Sequence, residues 1–318
     1  MNGNLVLSGL KSRIKLNIRA AQKSWKKNWE LYLLILPVIL YFVIFKYGPM
    51  YGLQIAFKDY LPVKGFFESP FVGLKHFIRF FNSYNFWELI KNTLGISLYQ
   101  LVIGFPVPIL LALMINEVRI KWFKKTVQTV TYAPHFLSTV VLVGMLAAFL
   151  SPRNGLVNQI IQAFGGKAIY FMAEAGWFKT LYVLSGIWQN AGWSSIIYMA
   201  TLANIDVEMY EAAAIDGAGR FKRLIHLTIP CILPTAIIIL IMDFGKIMNV
   251  GFEKVFLMQN QLNIGASDVI STYVYTVGIQ GSQLSYATAI GLFNAVINFG
   301  LLIGVNKISK KLTETSLW

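Results

Sequence analysis

The stretch that decides the fold is residues 204–230, which read NIDVEMYEAAAIDGAGRFKRLIHLTIP. Asp206 can accept the free backbone N–H groups at the start of a helix, and Glu208 follows near the positive end of the helix dipole. Gly217 and Gly219 can end that helix, because glycine readily takes the left-handed conformation found at helix C-termini. The stretch therefore predicts two short helices, joined at the glycines, that lead into an apolar run.

The composition of the chain around this stretch is that of a membrane protein. Of the 318 residues, 56 % are hydrophobic and 13 % are charged, and the mean hydropathy is +0.58. A soluble domain carries about 25 % charged residues, so this chain has too little charge to cover a water-facing surface. Disorder is excluded for the same reason. The single cysteine, Cys231, excludes an intrachain disulfide framework and a multi-thiolate metal site, and no metal site is expected.

Six apolar stretches are long enough to cross a bilayer, which takes about 20 residues each. The predicted spans are Leu31–Phe57, Leu89–Ile115, Thr126–Leu150, Thr180–Leu202, Leu227–Val250 and Ala287–Val305. The first is interrupted by Lys46, Gly48 and Pro49, and the third has a polar first half. The predicted fold class is an all-α integral membrane protein with six transmembrane helices.

Basic residues gather on one side of this arrangement. Of the 28 lysines and arginines, 17 lie in the two terminal tails and in the 116–126 and 203–226 loops. Cytoplasmic loops are enriched in basic residues, so both termini are predicted to be cytoplasmic. The net charge of +14 then indicates contact with anionic membrane lipid and not with nucleic acid. The expected organisation is a basic tail (1–30), a six-span domain (31–306) that contains the 204–230 loop, and a second tail (307–318).

The chain lacks the motifs that would let it act as an enzyme or drive transport by itself. It has no GxxxxGK[ST] loop for ATP phosphates, no HExxH and no GxSxG. The spans carry few charges and no row of acidic residues that would suggest a proton relay. A non-catalytic membrane protein is therefore expected.

The order of residues in the 204–230 loop resembles a known motif. Glu211, Ala212 and Ala213 are followed after three residues by Gly217, and after nine more by LTIP at 227–230. This resembles the EAA motif of ABC importer permeases, whose pattern ends in IxLP, with Leu and Ile exchanged here. The motif lies in the cytoplasmic loop before the penultimate span, as it does in that family.

Three further segments narrow the resemblance. The run YEAAAIDGAG at 210–219 is similar to the carbohydrate, MalF-like branch of these permeases. The segments KYGPMYG at 46–52 and SPRNGLVN at 151–158 resemble permeases of the LplB/YteP type. Permeases of that type are linked to the import of complex oligosaccharides, including those derived from pectin and alginate.

The resemblance implies a type I ABC importer in the bacterial cell membrane. A second, different permease chain would complete the pathway, two copies of a cytoplasmic ATPase would bind ATP and Mg and dock on the EAA loops, and an extracellular binding lipoprotein would deliver the oligosaccharide. No cofactor is then expected in this chain. The ATPase-coupling positions carried over from the resemblance are Glu211, Ala212, Ala213, Asp216 and Gly217.

Polar groups inside the spans are candidates for the substrate pathway, because burying them in lipid is unfavourable unless they face a cavity or another helix. The fourth span offers Trp188, Gln189, Asn190 and Trp193, where aromatic rings could stack on sugars and amides could bind hydroxyls. The alternative is that Gln189 and Asn190 bond neighbouring helices while Gly192 permits close packing. Ser138 in the third span and Gln100 in the second are further candidates with the same alternative.

The fifth span contributes Asp243, Lys246 and Asn249, which at a spacing of three would share one helical face. A lysine inside a span needs an interaction that offsets its burial. Lys246 could meet the carboxylate of a uronic-acid sugar, pair with Asp243, or extend to the outer interface.

Other functions remain open from the residues alone. A stand-alone secondary transporter or channel would also explain the spans, and an integral membrane enzyme would need clustered carboxylates that the chain lacks outside the 204–230 loop. An ABC permease for another solute, such as an amino acid or phosphate, is a further alternative.

Overall fold

A computed structural model describes residues 27–313 and 315–317 of the chain. Their regular structure is helical, apart from one isolated antiparallel bridge between Lys58 and Phe71. The described chain divides into two compact units, residues up to 55 with 61–69, and residues 56–60 with those from 70 onward. Most of the predicted basic tail (1–30) lies outside the described residues.

The helical segments follow one another in short succession. In chain order they are α1 (Trp29–Phe57), α2 (Gly65–Glu68), α3 (Lys75–Phe81), α4 (Phe86–Glu117), α5 (Lys121–Tyr132), α6 (Thr139–Phe149), α7 (Leu156–Ala163), α8 (Ala175–Ala203), α9 (Val207–Ile215), α10 (Arg220–Phe244), α11 (Phe252–Met258), α12 (Ile264–Ser267), α13 (Ile270–Tyr275) and α14 (Leu284–Thr313). Five-residue π-helical turns lie within three of them and after a fourth: Val43–Tyr47 in α1, Gln100–Gly104 in α4, Leu224–Thr228 in α10 and Thr276–Gln280 after α13.

Within the described residues, four helices are long and apolar enough to cross a membrane. They are α1, α4, α10 and the Leu284–Lys311 part of α14. These correspond to the predicted first, second, fifth and sixth spans. The predicted fourth span is a continuous 29-residue helix, α8, of about 43 Å at 1.5 Å per residue. Its polar residues keep it below the hydropathy of the other four, so the count of six spans and the side of each terminus remain predictions.

The predicted third span, Thr126–Leu150, is a bent pair of helices and not one straight helix, and its crossing of the membrane stays a prediction. Helices α5 and α6 meet at an angle of 101°. A short 3-10 turn, Ala133–Phe136, follows α5, and Ser138 caps the start of α6 by accepting a hydrogen bond from the Val141 N–H at 3.3 Å. Proline in that turn removes a backbone donor, and the extended backbone before the cap then redirects the chain.

The fifth predicted span, Leu227–Val250, has both ends displaced. Helix α10 begins at Arg220, so the second short helix expected after the glycines continues directly into the span. It ends at Phe244, where Gly245 begins a turn. The sixth predicted span ends at Val305, whereas α14 continues to Thr313.

The long helix α8 is the central element of the larger unit and packs against α4, α5 and α10. Near its N-terminal end, Tyr182 and Val183 join a buried cluster that includes Val255 and Met258 of α11. Near its C-terminal end, Tyr198 joins a second cluster with residues of α4 and α10. The middle of α8 is left to line a cavity between these two apolar clusters.

Candidate functional site

The 204–230 loop forms the helix that its sequence predicts. Asp206 caps the start of α9, and its Oδ1 accepts a hydrogen bond from the Glu208 N–H at 3.0 Å. At the other end Gly217 has a φ of +75°, which L side chains adopt only with strain. The Gly217 N–H donates to the Ala214 carbonyl at 3.1 Å, and the next N–H donates to the Ala213 carbonyl at 2.9 Å. This pair of hydrogen bonds is a Schellman cap.

Helix α9 presents an exposed surface with apolar and acidic character. Glu211, Ala212, Asp216 and Gly217 are exposed and Ala213 is half-buried. Large apolar side chains around them are also exposed, namely Val207, Met209, Ile215 and Phe221. We call these residues, with the five coupling positions, the docking surface. Exposed apolar groups concentrated on one loop are typical of a surface that binds another protein.

One hydrogen bond ties this surface to the membrane helix that follows it. The Tyr210 hydroxyl lies 3.0 Å from the Thr228 hydroxyl, and Thr228 is buried in the π-helical turn of α10. Helix α9 is therefore joined to α10 by a side-chain hydrogen bond as well as by the connecting backbone.

A cavity of about 710 Å³ lies between α4, α8 and the segment that follows α10. It brings together most of the residues predicted for the substrate pathway. Those that line it are Gln189, Asn190, Trp193, Asp243, Lys246 and Asn249, with Gln100 of the second span. This is the size expected of a small-molecule site, and its lining combines an aromatic ring with amides and charges.

Two predicted pathway residues lie elsewhere. Ser138 caps α6 and does not line the cavity. Trp188 lines a second, apolar pocket of about 390 Å³ with residues such as Leu142 and Phe149. Successive residues of a helix point about 100° apart, so Trp188 and Gln189 face different surroundings although they are adjacent.

The polar residues of α8 also hold the bend between α5 and α6. Gln189 Nε2 donates to the Leu137 carbonyl at 2.9 Å, and Asn190 Oδ1 lies 3.1 Å from His135 Nδ1. The Trp193 ring stacks on the His135 ring with centroids 4.6 Å apart and planes inclined by 5°. Gln189 and Asn190 therefore make the bonds to neighbouring segments that the alternative interpretation predicted. Together with Trp193, they also line the cavity.

Asp243, Lys246 and Asn249 do not share a helical face, because α10 ends between the first two. Lys246 is near enough to Asp243 to interact with it electrostatically, but no ion pair joins them in the described chain. Asn249 Oδ1 accepts a hydrogen bond from Asn294 Nδ2 of α14 at 2.8 Å. All three residues therefore line the cavity, but a turn places them there and not the shared helical face that was predicted.

Lys254 also lines the cavity, although it was not predicted as a pathway residue. It lies in α11, outside the membrane-spanning helices, and only 9 % of its surface is exposed. Burial lowers the pKa of its ammonium to about 8. The signal in the sequence was a lysine set in the apolar run Phe252–Met258, which reads FEKVFLM.

A family model described as binding-protein-dependent transport system inner membrane component matches residues 104–314. The chain belongs to this family. The matched region contains the bend, the docking surface and most of the cavity lining of this permease, and Gln100 lies just before it.

Two relatives of the permease from Bacillus subtilis (strain 168) are similar over most of its length. The polygalacturonan/rhamnogalacturonan transport system permease protein YteP is 46 % identical over 288 residues, which cover 91 % of this chain and 90 % of YteP. Protein LplB is 44 % identical over 293 residues, which cover 92 % of each chain. The resemblance to permeases of the LplB/YteP type is therefore confirmed.

A solved structure gives the same result. This permease matches a chain of the bacterial alginate ABC transporter, crystallised in complex with an alginate pentasaccharide-bound periplasmic protein, with a TM-score of 0.86 and 43 % sequence identity. The match covers 93 % of this permease and 99 % of that chain. The prediction of an all-helical, multi-pass ABC permease of the bacterial cell membrane is confirmed, and neither a stand-alone transporter nor a membrane enzyme fits this family.

Proposed function

We propose that this permease is one of two different permease chains in an ATP-driven importer for acidic oligosaccharides, which contain uronic-acid residues. The observation that carries the proposal is the similarity, at 43–46 % identity over more than nine-tenths of the chain, to permeases named for polygalacturonan/rhamnogalacturonan and alginate. The cavity suits such a substrate, because its charged lining residues are two lysines and one aspartate. Amides and the Trp193 ring would bind the hydroxyls and the apolar face of the sugar.

Two copies of a cytoplasmic ATPase dock on the EAA loops of the two permease chains in this proposal. The ATPases bind ATP and Mg, which is consistent with the missing phosphate-binding loop in this sequence. The exposed docking surface supports the assignment, since its apolar side chains have no cover within the described chain. Glu211 and Asp216 lie among those apolar groups and would give the contact its charge complementarity.

An extracellular binding lipoprotein delivers the oligosaccharide to the opposite end of the pathway. ATP binding closes the two ATPases and draws the docking loops together, which opens the pathway outward. ATP shifts this equilibrium because it binds the closed arrangement of the ATPases more tightly than the open one. The bond between Tyr210 and Thr228 supports a direct transfer of that movement to α10.

The test is ATPase stimulation of the reconstituted complex by its binding protein, loaded in turn from a panel of oligosaccharides. We expect oligogalacturonates or alginate oligosaccharides to stimulate hydrolysis, and neutral oligosaccharides of the same length to do so less. Stimulation by neutral sugars alone would make this a permease for another solute. The absence of any co-purifying ATPase would contradict the assembly itself.

A further inference from the structure

Lys254 is a cation built into the wall of the cavity. Its Nζ donates a hydrogen bond to the Tyr182 carbonyl at 2.8 Å and lies 4.7 Å from the centre of the Tyr182 ring. The Tyr182 hydroxyl accepts a hydrogen bond from the Gly251 N–H at 3.1 Å, just before α11 begins. One tyrosine of α8 therefore fixes both the backbone that carries Lys254 and the ammonium itself.

No anion of the described chain compensates this cation. The other titratable side chains that line the cavity are Tyr182, Tyr198, Asp243 and Lys246. Asp243 interacts with Lys246, and neither it nor any other described carboxylate forms an ion pair with Lys254. Of the two lysines that line the cavity, Lys254 is therefore the one whose positive charge is not balanced by a carboxylate of the described chain.

A purely structural role does not explain a lysine at this position. A buried charge is unfavourable unless an opposite charge and hydrogen bonds compensate it. The Tyr182 carbonyl takes one of the three N–H donors of the ammonium. A neutral donor could hold α11 to that carbonyl with a smaller desolvation penalty. At neutral pH the ammonium stays mostly protonated, since its pKa is about 8.

The space beside the ammonium is left open by a glycine. A Cβ on Gly186 would lie 3.3 Å from Lys254 Nζ, 3.5 Å from Gln100 Oε1 and 3.8 Å from Gln100 Nε2. An ammonium and a side-chain amide thus flank the same point of the cavity wall. A carboxylate accepts hydrogen bonds from both kinds of donor, and bonds in which both partners are charged are the strongest of these.

We propose that Lys254, with Gln100 beside it, is the subsite that recognises the carboxylate of a uronic-acid residue as the oligosaccharide passes through the cavity. The inference rests on the proposed function and replaces Lys246 as the specificity-determining cation. Lys246 has Asp243 as its neighbour, whereas Lys254 has a free charge and unused donors. The Tyr182 ring and carbonyl hold the ammonium in place before the substrate arrives, which reduces the ordering needed on binding.

The first test measures the accessibility of the Lys254 amine in the wild-type complex. The complex is trapped with ATP and vanadate in the presence of its binding protein, and lysines are reductively methylated and quantified by mass spectrometry. Tetragalacturonate at ten times its Kd for the complex leaves about a tenth of the sites free, so methylation of Lys254 should slow about tenfold. Xylotetraose, which has no carboxylate, should not slow it. The matched control is Lys179, a half-buried lysine of α8 that does not line the cavity, whose rate should not change.

The second test compares import of tetragalacturonate into proteoliposomes by variant complexes whose assembly is checked by size-exclusion chromatography. Lys254→Met removes the charge and keeps the length, and import should fall about tenfold or more, as expected for the loss of a charged hydrogen bond. Lys254→Arg keeps the charge and should retain most of the import. Lys179→Met should import at the wild-type rate.

The outcomes separate this inference from the proposed function. Import of tetragalacturonate by Lys254→Met at the wild-type rate would overturn the subsite while leaving the importer assignment intact. Unchanged methylation of Lys254 in the presence of tetragalacturonate would also overturn the subsite. If Lys254→Met does not assemble, the methylation measurement alone decides whether the subsite exists. A wild-type complex that responds to neutral sugars alone refutes the proposed function, and the carboxylate subsite with it.

Discussion

Gly192 lies where α8 packs closely against α5, and replacing it with alanine should separate these helices. A Cβ at position 192 would lie 2.0 Å from the Thr131 carbonyl oxygen, 2.4 Å from the carbonyl carbon and 3.0 Å from the Tyr132 nitrogen. All three atoms belong to the backbone, so no side-chain rotation can relieve the contact. Real Cβ atoms essentially never come within 3.0 Å of such neighbours, so the two helices must move apart.

The magnitude follows from two opposing effects. Overpacking a well-packed site costs about 1–3 kcal/mol, and a backbone obstruction places this one near the upper limit. Alanine in place of glycine favours an interior helix position by about 1 kcal/mol. We therefore expect a net loss of about 2 kcal/mol in the free energy of unfolding for Gly192→Ala.

The assay is thermal unfolding of the purified complex, followed by tryptophan fluorescence because Trp193 stacks on His135 at this contact. Gly176→Ala is the matched control on the same helix, since a Cβ there meets nothing within 4 Å. The control should melt at the wild-type temperature or slightly above it. A Gly192→Ala complex that melts no lower than the control would refute the close approach of α5 and α8.

Three further predictions concern the docking surface, the topology and the subsite. Gly217→Val should insert normally but lose ATPase stimulation, because valine cannot take the φ of +75° without strain; full transport by this variant would rule out a role for the turn in coupling. Cysteine at Lys310 should react with an impermeant thiol reagent only from the cytoplasm and cysteine at Asn154 only from outside, and labelling of the first from outside would contradict the six-span topology. Import of acidic oligosaccharides should decline as the pH rises through 8, because burial lowers the pKa of the Lys254 ammonium to about 8 and the charge is lost above it. Import by Lys254→Arg should decline less, and identical pH profiles of the two complexes would contradict a role for the ammonium charge.

The helix of the docking loop was predictable from its sequence because its ends are set by local chemistry. Asp206 caps one end and Gly217 the other, and both interactions involve residues no more than five positions apart. The apolar spans were predictable for a similar reason, since hydropathy needs only neighbouring residues. The family was recognisable from the order of residues in the same short stretch, 204–230.

The size of the bend after α5 and the end of α10 were not predictable in this way. The proline before His135 indicates a bend, but hydropathy averaged over a span carries no information about direction, so the angle between α5 and α6 did not follow from the sequence. A spacing of three placed Asp243 and Lys246 on one face only if the helix continued, and it ends at Phe244. Lys254 lies in a connecting segment, and its burial depends on Tyr182, 72 positions away.

The π-helical turn Leu224–Thr228 lies between the docking surface and the rest of α10. The direction in which that surface faces therefore depends on how many residues the turn contains. A π-helical turn closes its hydrogen bonds over five residues, one more than an α-helical turn. Removing one residue from it would leave a continuous α-helix, but everything before the deletion would rotate by about 100° around the helix axis. The docking surface would then face a different side of the membrane helix while every residue in it stayed the same. The direction of the docking surface is therefore set by the number of residues across this turn, as well as by the Thr228 side chain that holds Tyr210.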